Sequence, residues 1–340
     1  MKRSKQNVQS VAQRGFMLIL IFTIFTLTGQ ANAQTCVQPP TGLVSWWPGD
    51  GNANDIQDGN PGTLQGGATF GAAKVGQGFT FSGTTGERVV VPHAANLNLE
   101  SLPQATFLGW FKSTAGIPVP FDSDTDKIIV AKHTSGFNNG WFFTTAQGCF
   151  FGDIGAGMGN AGINLNDGEF HHFACVKDNT TYRQYIDGVL VITTNGPTFG
   201  TPNAESVQMG GITSGTNNNF GQLNGVVDEI QVFQNALTTA EVQAIYSSGS
   251  AGLCKPATIE GTLALISELL ASGDIDNAGL AGSLSSQLRN ALAAANSGDI
   301  QTADSILNAF INHVTAQSGK HISAEAAAIL INAATYIINH

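Results

Sequence analysis

The sequence predicts an all-β antiparallel sandwich followed by a separate small α-helical bundle, on three observations. From Leu43 to Phe233, about a dozen short runs of alternating or apolar residues are punctuated by Gly, Asn and Pro. Asp187-Gly188 joins two of these runs and is a strong hairpin signal. At Cys254-Lys255-Pro256 the composition changes: Ala, Leu, Ile and Asn take over and aromatic residues nearly vanish.

The strand expectations run in order. They are Leu43–Trp47, Gly78–Phe81, Arg88–Val91, Ala105–Lys112, Lys127–Lys132, Trp141–Thr145 and Gly148–Ile154. Phe170–Lys177, Tyr182–Ile186, Val189–Thr193, Ser206–Met209 and Leu223–Phe233 follow. Side chains alternate faces along a strand, so in the last run Asp228, Ile230 and Val232 are expected on one face, and Val227, Glu229, Gln231 and Phe233 on the other. A short helix follows, capped by Thr238 or Thr239, with Val242, Ile245 and Tyr246 as its apolar stripe. Four amphipathic helices are expected beyond Pro256. They are about Ile259–Ala271 with Leu263, Ile266 and Leu270 inward, Leu280–Ala295 with Leu284, Leu288 and Leu292, Asp299–Gln317 with Ile306, Phe310, Ile311 and Val314, and a last one from Ser323 through Ile329, Leu330 and Ile337.

The first 33 residues read as a cleaved export signal. Lys2, Arg3, Lys5 and Arg14 make a basic start, Phe16–Leu27 is apolar, and Ala31-Asn32-Ala33 is a small-residue cleavage site. The apolar run falls short of the ~20 residues that span a bilayer, and no later segment is long and apolar enough to do so. The expected domains are therefore the signal at 1–33, the sandwich at 34–254 and the helical module at 255–340, in a secreted or cell-surface protein. Removing a leader with four basic and no acidic residues leaves 10 basic against 24 acidic, a charge of −14. That surface disfavours nucleic acid and anionic lipid and suits calcium.

Export permits disulfides. Cys36, Cys149, Cys175 and Cys254 allow three pairings, and Cys36–Cys254 with Cys149–Cys175 is the one expected, because the first pair brackets the sandwich where its two chain ends should meet. No C-x-x-C is present, which disfavours a zinc or redox centre.

Several motifs carry a family resemblance. They are Gly42–Gly51 (GLVSWWPGDG), Asn54-Asp55, Gly62-Thr63-Leu64, Val75–Phe79, Asp167–Lys177 (DGEFHHFACVK), Tyr185–Gly188, and the final strand with its short helix. Together, over about Gly42–Cys254, they resemble laminin-G-like domains of the concanavalin A-like lectin/glucanase superfamily; Phe170 stands where that family usually has Trp. The resemblance implies a jelly-roll sandwich, with calcium where the opening loop meets the last strand, and so makes Asp55 and Asp228 candidate ligands with Asp50 as helper. Asp side chains that cap turns are the alternative. Leu307–Val314 (LNAFINHV) with Gln317–Lys320 resembles the FIMAH-type helical domain, over about Leu263–Asn339, which implies no reaction chemistry.

Catalytic patterns are weak. Glycoside hydrolases of the superfamily align carboxylates as Glu-x-Asp-x-x-Glu on one strand face; here Asp228 and Glu229 are adjacent and so expected on opposite faces. Asp122–Asp126 imitates an EF-hand start but has Lys127 and His133 where Gly and Glu belong, and so reads as a solvated acidic loop. His171-His172 fit a strand edge. Phe137 and Trp141 beside Asn138-Asn139, and Phe220 after Asn217–Asn219, are candidate sugar platforms, with closure of the core as the alternative. The function expected is a non-enzymatic recognition or adhesion module for a glycan or extracellular protein. A structural envelope component and a hydrolase with unfamiliar catalytic residues are the alternatives.

Overall fold

A computed structural model describes residues 36–114, 126–133, 139–152, 157–197, 200–214 and 218–339, with the side chains of Ser214, 218–220 and Asn339 left out. The first strands are β1 (Leu43–Trp47), β2 (Thr63–Gln65), β3 (Thr69–Ala72), β4 (Gln77–Ser82), β5 (Arg88–Val91) and β6 (Gln104–Ser113). Then come β7 (Ile128–His133), β8 (Gly140–Thr144), β9 (Gly148–Phe151), β10 (Phe170–Asp178), β11 (Thr181–Ile186) and β12 (Val189–Asn195). The chain of strands closes with β13 (Val207–Met209), β14 (Ile212–Ser214), β15 (Asn218–Phe220) and β16 (Asn224–Phe233). An eight-stranded antiparallel sheet runs β12-β11-β10-β6-β16-β4-β3, with β1 also on β16; a six-stranded sheet runs β2-β5-β13-β7-β8-β9, and β14 pairs β15. The expected sandwich is present, and β2, β3, β14 and β15 add short strands the sequence pattern did not single out.

The two large sheets enclose one apolar core that includes Trp47, Phe79, Phe107, Phe111, Phe143 and Phe173. The phenyl rings of Phe143 and Phe173 stack across it at 4.2 Å. The eight-stranded sheet has a second buried face. There Trp46, Leu108, Val176, Tyr185 and Phe233 pack under Val242 and Ile245 of α1 (Thr239–Ser247). Thr238 caps α1 in a reciprocal capping box with Glu241. Both expected disulfides form, Cys36–Cys254 and Cys149–Cys175. The first is flanked by a parallel bridge between Val37 and Leu253 that closes the two ends of the sandwich on each other.

The helical module comprises α2 (Ile259–Ser272), α3 (Ala278–Asn296), α4 (Ile300–Gln317) and α5 (Ala324–Asn339). Thr258, Asn277 and Asp299 cap the first three by accepting backbone N–H bonds, and Gly273 ends α2 in the left-handed region. Its core gathers Ile266, Leu284, Leu288, Phe310, Val314 and Leu330. One inward expectation is corrected: Leu270 is exposed. In α2 the buried stripe is Ile259, Thr262, Ile266 and Leu269, so Ile266 is inward as expected, Leu263 is partly buried against the core, and Leu269 takes the place of Leu270.

Candidate functional site

The site is built around an irregularity in β16. Its first half, Asn224–Val227, pairs with β4, and its second half, Ile230–Phe233, pairs with β1; β6 lies along the other side throughout. Between the two halves the register to β6 jumps from Asp228↔Trp110 to Gln231↔Leu108. Glu229 sits there at φ +54°, a left-handed conformation that costs an ordinary side chain energy and is found mostly where surroundings force it. This is a β-bulge, and a bulge shifts the alternation by one residue. The expectation that Asp228 and Glu229 lie on opposite faces is therefore corrected. Val227, Ile230 and Val232 face the inter-sheet core, while Asp228, paired with Trp110, and Glu229, bonded to Trp46, share the face covered by α1. On β6, Gly109 faces the bulge, and a Cβ there would lie 2.5 Å from Ile230 Cδ1 and 3.2 Å from the Asp228 carbonyl oxygen.

Both carboxyl groups are buried, with 0% of Asp228 and 2% of Glu229 exposed. Asp228 Oδ2 accepts the Val75 N–H at 2.8 Å, while Oδ1 has no hydrogen-bond partner. Burial first, and then the neighbouring Glu229 charge, push the Asp228 carboxyl up to about 8. Glu229 Oε2 accepts the Trp46 indole N–H at 2.7 Å and the Gln231 amide at 3.3 Å. The Lys255 ammonium pairs with Glu229 Oε1 at 2.9 Å and also with Asp50 Oδ2. Burial raises the Glu229 carboxyl above its ordinary value, and Lys255 opposes that rise. Asp50 Oδ1 accepts from Gln77 N at 2.9 Å. Beside Asp228, the Trp110 ring carries the Lys74 ammonium 4.6 Å from its centroid and stacks on Tyr246. His172, level with Trp110 on β10, is fully buried and is pushed down to about 3 by that burial, so it stays neutral.

Of the calcium candidates, Asp50 and Asp228 lie at one junction, whereas Asp55 is committed to the opening loop. Asp55 is nearly buried, and its two oxygens accept N–H groups from Trp46, Gln57, Asp58 and Asn60, together with the Asn60 side-chain amide. Lone pairs directed at N–H donors are not offered to a cation, so Asp55 organises the opening loop as a turn cap. Among the described residues no group of three or more His, Cys, Asp or Glu side chains is placed to hold a metal ion. Asp55 and Asp228 thus do not fit one shared calcium ion.

The aromatic candidates are also relocated. Trp141 is a core residue: it is fully buried, 4.7 Å from Phe107 between ring centroids, and its indole N–H donates to Leu97 O. It is no sugar platform. Phe137 lies outside the described residues, and Phe220 is placed by its backbone alone, in β15 opposite Ile212. Of the acidic loop only Asp126 is described; it accepts from Ala146 N and Gln147 Nε2. His171 and His172 lie near the start of β10, which runs between β11 and β6 in the sheet. His171 bridges Asp187 at 2.8 Å and Asp167 at 3.2 Å, and the Asp187 hydrogen bond raises its pKa against the pull of burial.

Residues 83–243 match the family described as the concanavalin A-like lectin/glucanases superfamily, and residues 259–339 match the FIMAH domain. The chain carries a laminin-G-like sandwich followed by a FIMAH domain. The FIMAH match coincides with α2–α5, whereas the sandwich match starts beyond β1–β4 and so omits Asp50 and Val75. No curated protein matches the chain. Similar solved structures include domain 4 of the extracellular arabinanase AbnA from Geobacillus stearothermophilus, in complex with arabinotriose. It is 17% identical, with 59% of this chain and 96% of that one covered and a TM-score of 0.42. The binding domain of Paraclostridial Mosquitocidal Protein 1 is 12% identical over 61% of this chain and 52% of its own, at 0.45. Trypanosoma rangeli sialidase with the inhibitor DANA is 15% identical over 61% and 33%, at 0.43.

Chemically, the bulge gathers two carboxyl groups that burial raises above their ordinary values, a perturbation that acid–base catalysis also uses. Here, however, each has an internal partner and almost no surface. Perturbed carboxyl groups of this kind also arise in structural ion-pair networks. The sandwich employs its acid pair to tie the opening loop, β1 and the segment after Cys254 to β16.

Proposed function

We propose that this is an exported recognition protein whose laminin-G-like sandwich binds a carbohydrate without converting it, while the FIMAH domain serves attachment or spacing. The observation that carries the reading is the burial of Asp228 and Glu229. The one pair of adjacent carboxyl groups that the lectin-type scaffold assembles on β16 is committed to Val75, Trp46 and Lys255, which leaves binding as the use of the scaffold. Export is supported by the basic and apolar leader with its Ala31-Asn32-Ala33 site and by the two disulfides. No described helix is long and apolar enough to cross a membrane.

A protein ligand is the second reading, and β12 favours it. This seven-residue strand forms the edge of the eight-stranded sheet, carries no charged residue or proline, and exposes Val189 and Leu190. Such an edge accepts an extended segment of a partner chain. A glycan array probed with the mature chain separates the two. Selective glycan binding supports the first reading; a blank array, together with partner capture lost in Ile192→Lys, moves the assignment to the second.

A further inference from the structure

We infer that Lys255 is the resident cation of the junction between the opening loop and β16, so that the sandwich takes up no metal ion there and is complete only with the first residue of the segment leading to the FIMAH domain. Three carboxyl groups meet at this junction: Asp50 from the opening loop, and Asp228 and Glu229 from the bulge. A buried carboxylate such as Glu229, with a second carboxylate at Asp50 beside it, needs a counter-charge. The ammonium of Lys255 supplies it, pairing with Asp50 and, at 2.9 Å, with Glu229.

Its position is imposed by the covalent frame. Lys255 follows Cys254, whose sulfur is bonded to Cys36 and whose backbone N–H donates to Val37 O at 2.8 Å. The side chain therefore starts from a fixed point, and its charge needs little further ordering. The neighbouring ammonium, Lys74, is engaged over the Trp110 ring. Of the other oxygens at the junction, Asp228 Oδ2, Asp50 Oδ1 and Glu229 Oε2 are turned to N–H donors from Val75, Gln77 and Trp46, which leaves Asp228 Oδ1 alone without a partner. A calcium ion wants six to eight oxygens, and this set is organised for an ammonium and amides instead. The physical boundary of the sandwich accordingly lies after Lys255, one residue beyond the point where the composition changes.

Thermal unfolding of the full mature chain tests the inference, with and without chelator, alongside Lys255→Met and Lys255→Arg. Chelator should leave the wild-type sandwich transition unmoved. Lys255→Met should lower it by on the order of 10 °C, because a buried charge loses its partner, and Lys255→Arg should lose clearly less. A transition that falls with chelator overturns the inference. So does a Lys255→Met protein that melts like wild type, or an Arg variant that falls as far as the Met variant, because then the charge at 255 is not what holds the junction.

Discussion

Asp228→Asn is the perturbation that isolates the buried carboxyl group. In the folded chain the pKa of Asp228 rises from 3.8 to about 8. A carboxyl group whose pKa is raised on folding binds more protons in the native state than in the unfolded state, so its contribution is fully present below about pH 4. It is lost as pH climbs through the folded value. At about 1.4 kcal/mol per pKa unit, the loss between pH 4 and pH 9 is on the order of 5 kcal/mol, most of it before pH 7. Asparagine keeps the shape and the oxygen that accepts from Val75 N–H but cannot ionise. Urea unfolding of both proteins from pH 4 to pH 9 reads the difference directly. Urea is chosen because guanidinium salt would screen the charges. The stability of wild type relative to Asp228→Asn should decline across this window, with the variant the more stable protein at pH 9. His171, which does not touch this pair, titrates in both proteins and cancels in the comparison, whereas Glu229 is coupled to Asp228 and the measured difference belongs to the pair. Parallel curves would mean that Asp228 is solvated or neutralised in some other way, and the account of the bulge would fail.

Other consequences follow from the same geometry. Replacing Cys36 and Cys254 by Ser opens a loop with a sequence separation of 218, worth about 5 kcal/mol as an upper figure in the chain-entropy model, whereas removing Cys149–Cys175, with a separation of 26, should cost about 3.5 kcal/mol; paired urea melts order the two. Gly109→Ala places a methyl group against Ile230 Cδ1 and should destabilise by about 1–3 kcal/mol, and adding Ile230→Val should recover part of this, a coupling that a double-mutant cycle measures. A fragment from Pro256 to His340 should be helical by circular dichroism and melt cooperatively, since its core draws only on residues of α2–α5 and their connections; an unfolded fragment would show that the helices need the sandwich.

The sandwich was legible in the sequence wherever the signal was local. Asp187 at φ +50° and Gly188 at φ +73° form the hairpin that the dipeptide announces, and Thr238, Asp299 and the Ser318-Gly319 stop fall where side-chain chemistry puts them. The cysteine pairing was legible because a sandwich brings its ends together. The bulge was not, because alternation extrapolated along β16 assumes one partner strand, and the irregularity arises where β4 gives way to β1. One signal did exist: Gly109 interrupts the apolar run Phe107–Phe111 within β6, and a lone glycine inside a strand marks a bulge or a close approach. Trp141 misled because its amide-rich flank suggests a wet surface, while its own position is fixed by burial on both sides of β8. Asp55 was ambiguous for a physical reason: a loop carboxylate serves a metal ion or backbone N–H groups through the same oxygens, and only the donors around it decide.

The claim at the centre of the account is that this sandwich recognises rather than converts. Incubating the mature chain with a panel of polysaccharides and oligosaccharides, and following both retention on the protein and chain length by mass spectrometry, tests it most directly. Ligands retained and recovered at their original length are the predicted result. Shortened chains whose formation is abolished by Asp228→Asn or Glu229→Gln would contradict it, because they would place the buried pair in contact with a substrate.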